Sequence, residues 1–277
     1  MLEVTEHLVP AGKLNLHVTE TGSGPALVWL HGAGPGASGM SNFRQNLPAF
    51  KDYRNLVFDL PRFGGSDKPV LGPDELFAPY AAEAVAAALR ELGISRFSVI
   101  GNSMGGATAI KLAADNADSI DRLVLMAAVG TAPANWQGGF PEGILKIVEW
   151  LREGTSERLI REFAELQVHD PSVLTDGLLQ ERLRAASDPE ILATNGQTNM
   201  LPGDLNSDMP NITAPTLLLW GREDKFIPLE WALNAVRAIP NAALQVLPFC
   251  GHWVQFEHQD YFNTTVRAHL RSDVLAS

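Results

Sequence analysis

A serine set between glycines, Gly101-Asn102-Ser103-Met104-Gly105, fits the pattern G-x-S-x-G and stands between an apolar run at 97–100 and a helical pattern beginning near Gly106. A serine hydroxyl is a weak nucleophile at neutral pH, so it needs a base beside it and a carboxylate that fixes the base's tautomer. Raised on a sharp turn from strand to helix, it also needs small neighbours, which Gly101, Gly105 and Gly106 provide. Such an arrangement attacks carbonyl carbon. Because a plain glycine-rich turn gives the same five letters, the partners decide.

The partners are expected later in the chain, in the order acid, then base. Asp224 follows the apolar run 216–220 in Gly221-Arg222-Glu223-Asp224, and His252 follows the run 244–247 in Cys250-Gly251-His252-Trp253. Both lie beyond strand ends, where open α/β sheets assemble their sites. Of the seven histidines, His7, His17, His169, His258 and His269 fall in polar, edge-strand or helical surroundings and read as surface residues, and His31 reads as structural. Glu223 competes with Asp224 for the role of acid.

A tetrahedral intermediate needs N–H donors. Met104, next to the nucleophile, is expected to give one; Ala33, within His31-Gly32-Ala33-Gly34-Pro35-Gly36, is expected to give the other. The same stretch fits a dinucleotide fingerprint through Gly34, Gly36 and Gly39, with Asp59 placed 25 residues after Gly34. Pro35 removes one amide from that supposed phosphate cradle, and the rival explains neither Ser103 nor His252.

The elements that must position these residues are legible as apolar, β-rich runs at 26–30, 56–60, 97–100, 123–126, 216–220 and 244–247. Helical patterns at 74–92, 107–114, 229–239 and 260–271 lie between or after them, the alternation of a mostly parallel α/β sheet flanked by helices. Residues 14–18 suggest an antiparallel entry. The alternation stops after Met126 and resumes at Pro215, so residues 1–129 and 208–277 are expected to form the core and 130–207 a helical cap. Asp170-Pro171 and Asp188-Pro189 mark two helix starts. Ile144, Leu145, Ile147, Val148 and Leu151, then Leu159, Ile160, Phe163 and Leu166, give amphipathic faces suited to covering a cleft.

Composition narrows the partners. With 277 residues, 45% hydrophobic and 19% charged, the chain can bury a substantial core. A net charge of -11 disfavours nucleic acid and anionic membrane. The start shows no basic segment followed by an apolar stretch, and no apolar run is long enough to span a bilayer, so a cytoplasmic setting is expected. Cys250, the single cysteine, excludes an intramolecular disulfide and reads as a small core residue. No metal or organic cofactor is expected, since no histidines and carboxylates cluster at ligand spacing.

With these residues in view, the chain resembles the meta-cleavage-product hydrolases, α/β-hydrolases that cleave carbon–carbon bonds in ring-fission products of aromatic compounds. The resemblance spans nearly the whole chain. It is carried by 31–37, Ser41-Asn42, 101–107, 178–182 ending in Arg182, 220–224 and 250–253. It implies an α/β-hydrolase fold with a helical cap between core strands, places the acid second after Arg222, hence at Asp224, and implies a homo-oligomer. It also implies that Gly34, Asn42, Asn102, Arg182 and Trp253 hold the dienoate end of an acidic substrate with a hydrophobic tail. Ala33 departs from the glycine usual there, but its amide remains available.

Physical reasoning agrees with that implication. A carboxylate entering a covered, mostly apolar cavity needs a fixed cation. Residues 130–207 carry six basic against twelve acidic residues, so the interval's average field cannot serve and one residue, Arg182, must. On the residues alone Arg182 could equally be a solvated helix charge paired with an acid, Asn102 a residue that shapes the turn, and Trp253 a core aromatic. A carboxylesterase or lactonase with the same triad is one alternative reading, and a ligand-sensing binding protein is another.

Overall fold

Apolar runs without interruption make the sheet two-sided, because successive side chains of a strand point to opposite faces. In the computed structural model, which describes residues 3–272, Leu27 and Trp29 of β3 (Ala26–Leu30) join one hydrophobic cluster, Val28 and Leu30 the other. The split recurs in β5 (Phe97–Asn102), β6 (Ile120–Met126) and β7 (Thr216–Gly221): Val99, Leu123, Leu125 and Leu218 face one way. Ile100, Val124, Met126 and Leu219 face the other.

With β1 (Val4–Ala11), β2 (Leu14–Thr21), β4 (Arg54–Phe58) and β8 (Ala242–Leu247), these strands form one eight-stranded sheet in the order β1-β2-β4-β3-β5-β6-β7-β8. β1 and β2 pair antiparallel, β2 meets β4 antiparallel, and every later pairing is parallel. The antiparallel entry expected at 14–18 is β2, and its edge partner β1 was not anticipated. Much of β1, including Val4 and Leu8, faces solvent, so it carries little burial signal. The run at 56–60 begins two residues earlier as a strand and ends at Phe58, because Leu60 already turns its N–H to His31 Nε2.

Helices α2 (Phe77–Glu91) and α3 (Met104–Asp115) pack on one face. On the other, α10 (Gln259–Arg271) brings Phe262 and Val266 onto Trp29, whose indole N–H donates to Asn55 Oδ1 at 3.0 Å. The short α1 (Gly39–Phe43) follows β3, α8 (Leu229–Ala238) links β7 to β8, and α9 (Val254–Glu257) precedes α10.

Between β6 and β7 run α4 (Glu142–Glu153), α5 (Glu157–Gln167), α6 (Asp176–Ala186) and α7 (Pro189–Thr194). Asp188 caps α7 through Glu190 N, as its sequence suggests, while Asp170 opens only a 3-10 turn at Pro171–Val173. Ser156 and Thr175 cap α5 and α6. On α4 the expected inward stripe is only partly inward. Ile144 and Ile147 are half-buried, but Leu145, Val148 and Leu151 are exposed, because α4 packs with one narrow face. Two histidines read as surface residues are not: His269 is buried with Nε2 against Leu123 O at 3.1 Å, and His17 is held against Asp59 at 2.9 Å.

Candidate active site

The turn after β5 is strained at Ser103, which has φ 53 and ψ -113, a conformation L residues avoid. It is held by Ser103 N donating to Met126 O at 2.8 Å and by Ala107 N donating to Ser103 O at 3.0 Å. Any side chain at Gly105 would collide with the carbonyl oxygen of Leu30, and one at Gly101 with that of Gly105. The flanking glycines are thus demanded by close backbone approach. Ser103 remains only half-buried.

Adjacent strands then deliver the partners. His252 Nδ1 lies 2.8 Å from Asp224 Oδ2, and both side chains are almost fully enclosed. An ionised carboxylate only accepts, so Nδ1 carries the proton and Nε2 is left as the base. Asp224 Oδ1 accepts from Phe226 N at 2.7 Å and Ile227 N at 3.0 Å, which fixes the carboxylate in a local turn. Among the described residues Ser103 Oγ makes no hydrogen bond to His252. Such bonds tighten when substrate is bound. The two loops are nonetheless neighbours, since Asn102 Nδ2 reaches His252 O at 3.4 Å.

Glu223, the competing acid, is occupied elsewhere. Its Oε2 accepts from Cys250 N at 3.1 Å and its own N donates to Cys250 O at 3.0 Å, which ties the Asp224 loop to the His252 loop. Burial drives the Cys250 thiol pKa upward, keeping it an inert core group.

Neither Ala33 N–H nor Met104 N–H donates to a protein acceptor among the described residues. Met104 opens α3, where the first amides have no partner within the helix. His31 accepts from Leu60 N through Nε2 at 3.0 Å and donates through Nδ1 to Gly32 O at 2.7 Å. Burial lowers its pKa, with a smaller push from Arg182, so it stays neutral and braces the loop. The dinucleotide reading of this loop fails physically: α1 has five residues, and Gly39 N is already bound to Asp59 Oδ1 at 2.7 Å.

Arg182 does not sit at the surface. It is 1% exposed, with its guanidinium 4.7 Å from the centre of the Trp253 ring and Nη1 donating to Pro35 O at 3.3 Å. Its neighbour Glu181 pairs with Arg44 instead. Arg182 Nε and Asn42 Oδ1 are buried without hydrogen-bond partners among the described residues, while Asn42 Nδ2 donates to Asn102 Oδ1 at 3.4 Å. Gly36, at φ 64, lets the loop pass against the backbone of Arg182, and Gly34 lies beneath Phe163. The structure therefore gathers Asn42, Asn102, Arg182 and Trp253 beside Ser103, Asp224 and His252.

Several supports were invisible in the sequence. Phe226 stacks on His252 at 4.9 Å, and Gln167 O accepts from both His252 N and Trp253 N. Glu257 accepts from Gly251 N at 2.6 Å and His169 N at 2.6 Å. Only proximity in sequence to Asp224 and His252 hinted at Phe226 and Glu257. Nothing hinted at Gln167. Among the described residues no group of three His, Cys, Asp or Glu side chains could hold a metal, and no helix is long and apolar enough to cross a membrane.

The chain matches the family described as the alpha/beta hydrolase fold over residues 25–259. It is 36% identical over 274 residues to a 2-hydroxy-6-oxononadienedioate/2-hydroxy-6-oxononatrienedioate hydrolase of Pseudomonas sp, covering 96% of this chain and 94% of that one. It is also 36% identical over 263 residues to the 2-hydroxy-6-oxo-6-phenylhexa-2,4-dienoate hydrolase of Comamonas testosteroni, covering 92% and 91%. Among solved structures, the hydrolase for that phenyl compound from Rhodococcus sp. strain RHA1 superposes with a TM-score of 0.84 at 27% identity, covering 98% of this chain and 100% of that one.

Proposed function

Because the chain belongs to the α/β-hydrolase fold family, and within it to the meta-cleavage-product hydrolases, we propose that its site works as follows on a ring-fission product of aromatic degradation. The enzyme hydrolyses the carbon–carbon bond of a 2-hydroxy-6-oxohexa-2,4-dienoate bearing an aryl or alkyl group on the ketone. One water is consumed, and 2-hydroxypenta-2,4-dienoate and a carboxylic acid are released.

The observation that carries the reading is Arg182, a buried cation with no carboxylate in salt-bridge contact among the described residues, laid on the Trp253 ring next to His252. Burying a charge is costly, and an anionic ligand offsets that cost. The substrate carboxylate takes this place, with Asn42, Asn102, Gly34 and Trp253 around the dienoate. The unpartnered Arg182 Nε and Asn42 Oδ1 offer one donor and one acceptor.

Ketonisation of the dienol first makes the remote ketone carbon electrophilic and its neighbour a stabilised leaving group. Ser103 then attacks that carbon while His252 Nε2 takes its proton, and Ala33 N–H and Met104 N–H receive the developing oxyanion. The carbon–carbon bond breaks, its electron pair passes through the conjugated chain to the carbon-2 oxygen, which takes the proton held by His252, and an acyl-serine remains. Water, deprotonated by His252, releases the acid. Residues 130–207 act as the cap that excludes bulk water; a homo-oligomer is carried over from the resemblance, and a cytoplasmic setting from the composition, as parts of the same proposal. Steady-state comparison of phenyl, hydroxyphenyl and alkyl ketone substrates tests the reading and identifies the ketone substituent.

A further inference from the structure

The last residue of α5, Gln167, buries a carboxamide whose oxygen has no donor among the described residues. The residue is 2% exposed, and Oε1 lies among the buried atoms without a hydrogen-bond partner. Its position is fixed against the site, since its backbone carbonyl accepts from His252 N at 2.8 Å and Trp253 N at 3.2 Å. One turn earlier on the same helix, Phe163 covers Gly34 and meets Phe226, the ring stacked on His252. Residues four apart share a helix face, so the carboxamide lies along the face that Phe163 turns to the site.

A buried acceptor left unpaired is unfavourable, and an apolar residue would pack there without that cost. A site holding such an acceptor favours a ligand that brings the donor. We propose that Gln167 is a specificity-determining residue whose Oε1 accepts from a hydroxyl of the substrate, so that preferred ring-fission products carry a hydroxyl beyond the one on carbon 2. The proposal rests on the carbon–carbon hydrolase reading above. Phe163, Phe226 and Trp253 supply the apolar contact, and Gln167 supplies the selection, because a site built to bind a hydroxyl rejects the analogue that lacks it.

The test compares kcat/KM for substrates bearing 2-, 3- or 4-hydroxyphenyl ketones with that for the phenyl ketone, in wild type and in Gln167→Met, a side chain of similar length without the amide. Wild type is expected to prefer one hydroxylated substrate by about tenfold or more. In Gln167→Met that ratio falls toward one, while the phenyl substrate is cleaved at least as well and the melting temperature is unchanged or higher. Should the acceptor instead be satisfied by an internal water, the variant melts lower and all substrates slow together, which overturns the proposal. Equal cleavage of phenyl and hydroxyphenyl substrates by wild type overturns it without any variant. If wild type cleaves none of them, the parent reading has failed and this one fails with it.

Discussion

The guanidinium of Arg182 lies 4.7 Å from the centre of the Trp253 ring, one residue after the histidine paired with Asp224, and among the described residues no carboxylate forms a salt bridge with it. Burial pushes its pKa down to about 10, which still leaves it charged at neutral pH. The free protein therefore holds a cation at some cost to its own stability. Arg182→Met is expected to keep or raise the melting temperature, while kcat/KM on a dienoate falls by about 2 to 5 kcal/mol in transition-state binding. A neutral aryl ester should be turned over almost as before. Parallel losses on both substrates would make Arg182 a packing residue.

Backbone strain at Ser103 gives a second prediction. Ser103→Ala and Ser103→Gly should both lose on the order of 10⁴ to 10⁶ in turnover with the fold intact. Glycine tolerates φ 53 with ψ -113, so the glycine variant should be the more stable of the two by about 1 kcal/mol. Denaturant midpoints of the two variants decide it. Near-normal turnover by folded Ser103→Ala would remove the nucleophile from the account.

For the acid, Asp224→Asn keeps the shape but favours the wrong tautomer of His252, and a loss of about 10⁴ in kcat is expected. Glu223→Gln disturbs the brace on Cys250 N and an exposed ion pair with Arg222, and should cost less than about tenfold. The opposite ranking would transfer the role to Glu223.

A pH dependence follows from His17, whose pKa is raised chiefly by its hydrogen bond to Asp59. Because the folded-state value lies above the unfolded one, the contribution is complete below about pH 6.5 and is lost as pH rises through the raised value. The midpoint difference between wild type and His17→Gln in urea should therefore shrink from pH 6 to pH 9. A difference that grows over that range would contradict the assignment.

How far the sequence carries depends on the kind of signal. Strands β3, β5, β6 and β7 were legible because apolar residues occupy both parities of each run, whereas β1 was not, since much of it faces solvent. The placing of Ser103, Asp224 and His252 beyond strand ends was legible because each follows such a run. The burial of Arg182 was not, because it depends on α6 meeting a loop 147 residues earlier at Pro35. Likewise, Phe226 on His252 and Gln167 beneath it arise from tertiary packing that leaves no local pattern.

Carbon–carbon cleavage at the Ser103 site is read out by the identity of its products. Purified protein is given 2-hydroxy-6-oxo-6-phenylhexa-2,4-dienoate and, separately, a 4-nitrophenyl ester, with loss of the dienolate colour followed and products identified by mass spectrometry. Benzoate and 2-hydroxypenta-2,4-dienoate are the expected products, with kcat/KM above that for the ester, because binding at the dienoate end positions the remote ketone for attack. Brisk ester hydrolysis with every ring-fission product left intact would contradict carbon–carbon cleavage.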